Sequence, residues 1–230
     1  MKIFAISDLH LDSSGDKPMD VFGGIWTDYE KKIIENIDNS VEDDDIILMP
    51  GDLSWALKPE EARADLEIID RMPGVKFVSK GNHDYWWGTL NKLNCLGLKT
   101  VNFVQTNSYI HNGIGICGTR GWMAKDSESF TEKDLKIFNR ELNRLEIALE
   151  SLEEAELEKK IVMIHYPPFN FSTGEPNEFS VLMKKYRVNI CIYGHLHAEG
   201  HQFAREGDID GIEYHLVSCD YLDMMPKRIY

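Results

Sequence analysis

The sequence predicts an α/β fold made of parallel strand–helix–strand units with a second sheet alongside. Three observations carry this expectation. Apolar runs at residues 3–6, 46–49, 75–79, 161–164 and 190–193 show little alternation, as strands buried on both faces do. Helical patterns separate several of these runs, which is the alternation of βαβ units. Each run is followed by a short polar group rich in Asp, Asn and His, and in parallel sheets ligands gather at the carboxyl ends of the strands.

The first run ends in Asp8-Leu9-His10. In an extended backbone residues i and i+2 point the same way, so Asp8 and His10 are expected to reach one ion. Residues 11–28 read as a loop, with Gly15, Pro18 and Gly23-Gly24, and long loops near a site are often functional. Phe22 and Trp26 are candidates either to close over a ligand or to pack this loop onto the core. Thr27 and Glu30 have capping-box spacing for a helix carrying Ile33, Ile34 and Ile37. The acidic residues 42–45 read as a solvated turn at the far end of the next strand. That strand ends in Pro50-Gly51-Asp52, and a carboxylate there can bridge two cations through its two oxygens. Pro59 then opens a helix through Met72, with Ala62, Leu66 and Ile69 inward.

The run 75–79 leads to Gly81-Asn82-His83-Asp84, around which the site is organised. One glycine turn presents an amide, an imidazole and a carboxylate, which suit a metal ligand, a proton donor and an orienting partner. Tyr85-Trp86-Trp87 reads equally as a wall for a substrate ring or as core filler. Residues 101–104, 108–111 and 113–118 read as an antiparallel meander, hence a second sheet or a sheet edge, with His111 a plain strand histidine. Arg120 has the planar fork that clamps phosphate, against the competing reading of a surface ion pair.

A long helix is expected from Thr131 to about Lys159. Its Leu135, Phe138, Leu142, Leu145, Leu149 and Leu152 recur by three and four, a coiled-coil type of seam. The seam either packs on a sheet of its own domain or joins two copies into a homo-oligomer. Residues 161–164 lead to His165-Tyr166-Pro167-Pro168, where the prolines fix an extended turn. A second loop covers residues 169–178. Residues 190–193 end in Gly194-His195-Leu196-His197, two histidines that packing does not require. Residues 212–218 read as a closing strand, and His201 and His215 match no metal pattern.

The 230 residues suffice for one large α/β domain or two small ones. One domain over 1–230, with a helical insert at about 131–159, is favoured because the candidate ligands run from residue 8 to residue 197 without a linker. A net charge of -14 argues against broad binding to nucleic acid or to an anionic membrane. Small phosphorylated substrates stay open, since bound cations would reverse the local field. Cys95, Cys117, Cys191 and Cys219 form no C-x-x-C pair, and no run reaches transmembrane length, so a reduced, cytoplasmic setting is expected.

Asp8, His10, Asp52, Asn82, His165, His195 and His197 thus form one mixed carboxylate–imidazole set. Without thiolates it suits Mn, Fe or Zn better than Ca or a structural zinc. Seven ligands exceed the needs of one catalytic ion. Two ions sharing Asp52 fit better, and ions about 3.5–4 Å apart serve in-line displacement at phosphorus. The blocks D-x-H, G-D, G-N-H-D, H and G-H-x-H occur complete and in order, and in this the chain resembles the calcineurin-like metallophosphoesterases.

The resemblance implies a four-layer sandwich of two mixed β-sheets flanked by α-helices. It implies two divalent cations per chain, with Ni or Mg also accommodated. Asp8, His10, Asp52 and His197 would hold one, and Asp52, Asn82, His165 and His195 the other. A hydroxide bridging the two metals would attack phosphorus, His83 would protonate the leaving group, and Asp84 would orient His83. Gly51-Asp52-Leu53-Ser54-Trp55 lacks the arginine of the protein serine/threonine phosphatases, and Lys80 stands where they have another, so a protein phosphatase is disfavoured. The expected activity is hydrolysis of phosphomono- or phosphodiesters on a small phosphorylated substrate. Trp26, Tyr85 and Arg120 are candidate substrate contacts. A non-catalytic metal-binding scaffold is the alternative, favoured only by the leucine seam, and a nuclease would need a basic groove.

Overall fold

The computed structural model describes residues 1–230. The chain begins with β1 (Ile3–Ala5), α1 (Tyr29–Ser40), β2 (Ile46–Pro50), α2 (Pro59–Arg71), β3 (Val75–Ser79), the short α3 (Leu90–Asn94) and β4 (Val101–Val104). It continues through β5 (Ser108–His111), β6 (Ile114–Thr119), α4 (Glu132–Glu150), β7 (Lys159–Ile164), α5 (Glu178–Lys185), β8 (Ile190–Tyr193), β9 (Gly207–Ile209), β10 (Ile212–Leu216) and β11 (Lys227–Arg228). These strands make two mixed sheets, ordered β11-β1-β2-β3-β4 and β5-β6-β7-β8-β10-β9. In each the inner strands are parallel and an antiparallel strand closes an edge.

Three apolar layers explain why the strand runs lack alternation. Ile3, Ile46, Leu48, Phe77, Ile116, Ile161 and Ile192 meet between the sheets. The outer face of the first sheet packs Ile47, Met49 and Val78 against Ile33 and Ile37 of α1 and Ala62, Leu66 and Ile69 of α2. The outer face of the second packs Val162 and Cys191 against Phe138, Leu145 and Leu149 of α4 and Phe179 and Met183 of α5. The result is helices, sheet, sheet, helices, the four layers the resemblance implies.

Where the two sheets approach, Ser7 pairs with Ser218, just beyond β1 and β10. Ser7 N–H donates to Val217 O at 2.7 Å, and Cys219 N–H donates to Ser7 O at 3.0 Å. This stitch fixes the carboxyl ends of both sheets against each other.

Three local expectations change. Helix α4 stops at Glu150, not near Lys159. Leu152 and Leu157 turn in over the bare backbone of Gly115 on β6, and this cover draws the chain off the helix axis. The leucine seam of α4 is thus used on its own sheet, with Leu135 and Ile147 left exposed. Thr27 does not cap α1: the helix follows Asp28 at φ 55, and the Glu30 carboxylate turns back to accept Asp12 N–H at 2.9 Å. The expected meander divides between the sheets. β4 lies parallel to β3 in the first, while β5 and β6 form a hairpin in the second, closed by Asn112 (φ 49) and Gly113 (φ 80).

Candidate metal centre

All seven ligand candidates lie on the loops leaving the carboxyl ends of five parallel strands. Asp8 and His10 follow β1, Asp52 follows β2, Asn82 follows β3, His165 follows β7, and His195 and His197 follow β8. The first sheet supplies all of the oxygens and the second three of the four imidazoles.

The backbone that delivers them differs from the expected extended form. Asp8 (φ 59), His10 (φ 45), Asp52 (φ 51) and His195 (φ 73) are all left-handed. Such positions cost roughly 1–3 kcal/mol each and persist where surrounding structure over-determines them. Here Asp8 N–H donates to Gly51 O and His10 N–H to Asp52 O, both at 3.0 Å, and Leu11 N–H donates to Leu53 O. Glycine lets the loops come this close. A side chain on Gly51 (φ 96) would lie 2.6 Å from Gly81 Cα and 2.8 Å from His165 Nδ1, and one on Gly81 would collide with the Asp52 carboxylate.

The donors fall into two groups that share Asp8. Asp8, His10 and His197 form one and Asp8, Asp52 and His165 another that could hold a cation, with ligand atoms within 4.8 Å of one another. His197 Nε2 is 3.4 Å from both His10 Nε2 and Asp8 Oδ1. Asp52 Oδ2 is 4.0 Å from His10 Nε2 and 3.3 Å from His165 Nε2. Asn82 Oδ1 lies 2.7 Å from His165 Nε2 and 2.8 Å from His195 Nδ1. Asp52 Oδ2 therefore faces both groups, while its Oδ1 accepts His83 N–H at 2.7 Å.

Nitrogen and oxygen donors converge here with no lysine or arginine among them, which is a donor set that fits divalent cations. Outer contacts leave the inward ring atoms free: His165 Nδ1 is 2.9 Å from Pro50 O, and His197 Nδ1 is 2.8 Å from Asp220 Oδ1.

Electrostatics match this geometry. Burial would raise the Asp8 carboxyl, but the hydrogen bond and charge of His197 hold it far below the carboxylate range. Burial likewise opposes the Asp52 carboxylate, yet His165 keeps it at about 2. Burial drives His10 down to about 4, and burial with the charge of His165 drives His195 to about 3. Against the burial penalty, Asp52 lifts His165 to about 9 and Asp220 with Asp8 lifts His197 to about 10. The two raised histidines carry protons at neutral pH in the metal-free chain. Both protons must leave when a cation binds, so affinity falls as pH drops.

Asp84 does not perform its expected task directly. Its buried carboxylate makes no hydrogen bond to the His83 ring. It accepts N–H from Gly81, Asp52, Leu53 and Ser54 and from the Trp86 indole, at 2.7–3.3 Å. Asp84 thus ties the β2 loop to the β3 loop and positions His83 through the backbone. Burial and the charge of Asp52 push its pKa up to about 6, and five donors keep it ionised at neutral pH.

The His83 ring is half-buried, and burial depresses its pKa. It packs 4.6 Å from Trp55 and 6.4 Å from Tyr85, whose side chain is exposed. Trp26 is buried, with its ring 6.2 Å from His10 and 5.7 Å from His197, so it backs the ligands. Phe22 of the same loop is exposed. Arg120 turns away from the ligand set, over the Trp122 ring at 4.3 Å and towards Glu141 at 3.8 Å.

Sequence reasoning missed two residues. Trp55 stacks on His10 at 4.7 Å, and Asp220 orients His197 while its other oxygen lies 3.2 Å from His201. Neither carries a local signal, because both act through partners distant in sequence. Carboxylates that orient metal-bound histidines are worth about 10–100-fold in metal affinity. Asp220→Ala is expected to weaken metal binding by that factor, read by titrating Mn into stripped protein with a competing chelator. Unchanged affinity would remove Asp220 from the site.

The chain belongs to the calcineurin-like phosphoesterase family, whose model matches residues 1–199. No curated protein sequence matches the chain. Among solved structures, phosphopantetheinyl hydrolase PptH of Mycobacterium tuberculosis aligns at TM-score 0.56 and 17% identity, over 94% of this chain and 88% of that one. The sulfate thiohydrolase SoxB of Thermus thermophilus aligns at TM-score 0.55 and 14% identity, over 95% and 52%. AQ665 of Aquifex aeolicus, a protein of unknown function, aligns at TM-score 0.51 and 18% identity, over 98% and 94%. At these identities the likeness is one of fold. No helix of the chain is long and apolar enough to cross a membrane.

Proposed function

We propose that this chain hydrolyses phosphate esters of small molecules at a two-cation centre. The observation that carries the reading is Asp52 Oδ2, which faces His10 on one side and His165 on the other. Asp8, His10, Asp52 and His197 would hold one cation, and Asp52, Asn82, His165 and His195 the second. Bound there, divalent cations such as Mn, Fe or Zn supply a hydroxide nucleophile from water and neutralise charge on the phosphoryl group.

The protein's own groups do the rest. Asp84 fixes the loop, and Asp52 Oδ1 pins the His83 amide, so the His83 ring projects beside the centre. A phosphoryl dianion arriving next to that ring opposes the burial that depresses its pKa. His83 then takes up a proton and delivers it to the leaving oxygen. The organic part of the ester fits a cavity of about 300 Å³ beside the centre, lined by His195, Tyr166, Phe169, Phe171 and Phe203. Tyr166 forms the shared wall, with its ring 4.1 Å from that of His195.

The test is hydrolysis of p-nitrophenyl phosphate and bis-p-nitrophenyl phosphate by metal-stripped protein, with Mn, Fe, Zn, Ni or Mg restored. Metal-dependent turnover is expected, and the preferred ester separates monoesterase from diesterase. His83→Ala is expected to lower kcat about 10²–10⁴-fold with metal content unchanged. Full activity in that variant would overturn the acid role of His83. Absence of turnover with any metal, despite two tightly bound ions per chain, would favour a binding scaffold.

A further inference from the structure

A second cavity, of about 190 Å³, lies on the same rim of the fold as the metal centre. Lys80, Gln105 and Arg120 reach it from the carboxyl ends of β3, β4 and β6, Arg140 and Arg144 from α4, and Trp87 from the segment after the β3 loop. Glu141 is the one carboxylate in its lining.

Its polar groups are unbalanced in one direction. Glu141 Oε1 is shared by three guanidiniums, with Arg144 Nη1 at 2.9 Å, Arg140 Nη2 at 3.2 Å and Arg120 Nη2 at 3.8 Å. Glu141 Oε2 is occupied by the Thr119 hydroxyl at 2.9 Å. Lys80 has no carboxylate within ion-pair distance. Four cations thus face one anion, in a protein of net charge -14. Buried hydrogen-bonding atoms also lack partners here: Arg120 Nε, the Trp87 indole Nε1 and Gln105 Oε1. Two of these are donors, and turning the Gln105 amide end for end makes a third. Buried donors are normally satisfied, so three around one small cavity call for an acceptor.

We infer that this cavity binds a phosphate-type oxyanion, separately from the metal centre. A dianion offsets most of the excess charge, and guanidinium forks match tetrahedral oxygens. The volume admits a phosphoryl group and falls below that of ordinary small-molecule sites, about 300–1,000 Å³. The site touches the catalytic loops through the backbone. Lys80 immediately precedes Gly81, and Arg120 O accepts the N–H groups of His165 and Tyr166, both at 3.1 Å. The oxyanion is either free phosphate or a second phosphoryl group of the substrate.

The test separates this site from the metal centre by using full-length Asp52→Asn protein, whatever its activity. Inorganic phosphate is titrated calorimetrically into that protein and into the same protein carrying Arg140→Gln and Arg144→Gln. Saturable binding at one site per chain, weakened at least tenfold by the arginine changes, is expected. Lys80→Gln, which removes no ion pair from the fold, is expected to weaken it in the same direction should the double change unfold the chain. No saturable binding, or binding indifferent to all three changes, would overturn the inference. In the enzyme with Asp52 intact, a lower KM for bis-phosphorylated than for mono-phosphorylated esters, lost with the arginines, would assign the site to substrate. A change in kcat on added phosphate, lost likewise, would assign it to free phosphate.

Discussion

Asp52→Asn is expected to cut turnover of aryl phosphates about 10³-fold or more and to lower the stability of the metal-free fold at neutral pH. The loss follows from removing a carboxylate oxygen that lies between His10 and His165. Metal stabilisation of phosphoryl charge is worth several kcal/mol, and roughly 4 kcal/mol corresponds to that factor. The stability expectation follows from neighbouring charge. Pairing with His165 holds the Asp52 carboxyl at about 2 and lifts His165 to about 9, so the folded chain favours both charges at neutral pH, and an amide gives up that pairing. Asparagine keeps the oxygen that accepts His83 N–H, so the loop stays in place. Steady-state kinetics and thermal melts of metal-free protein read the two effects separately. An active variant would remove the bridging role of Asp52, and an undiminished melt would show that its pairing with His165 does not support the metal-free fold.

Asp84→Asn has the largest expected effect on stability. Five N–H donors point at one buried carboxylate. The amide offers one oxygen, and its own NH₂ meets donors instead of acceptors. Leaving buried donors unsatisfied costs about 1–3 kcal/mol each. A net loss of about 3 kcal/mol is expected, which lowers Tm by roughly 6–12 °C in a chain of this size. Activity should fall with it, because the His83 turn loses its anchor. A melt unchanged within about 2 °C would show that the loops are held by other contacts.

Much of the site was legible because the physics is local. An apolar run with both faces covered reads as a buried strand, and polar residues straight after it stand at its carboxyl end. That logic places Asp8, Asp52, Asn82, His165 and His195 at strand ends, as the structure has them. What was not legible depends on tertiary partners. Asp220 sits in Ser218-Cys219-Asp220-Tyr221, which resembles any loop until His197 arrives beside it. The leucine spacing runs on through Leu152 although α4 has ended, because Leu152 covers a sheet glycine and not the helix seam. Left-handed backbone at Asp8 and His10 has no signature in a sequence where an extended strand precedes them.

The division of the ligands between the sheets constrains how the molecule comes into being. Asp8, His10, Asp52 and Asn82 belong to the half of the chain made first, and His165, His195, His197 and Asp220 to the half made last. A nascent chain therefore carries an incomplete set until His197 has been synthesised. A cation that binds only the finished arrangement stabilises it by mass action without guiding the earlier steps. The first sheet must hold four preorganised ligands, with their repelling carboxylates, on packing and backbone hydrogen bonds alone. The Asp84 knot thus acts as the scaffolding of assembly, in place before any ion can share the load.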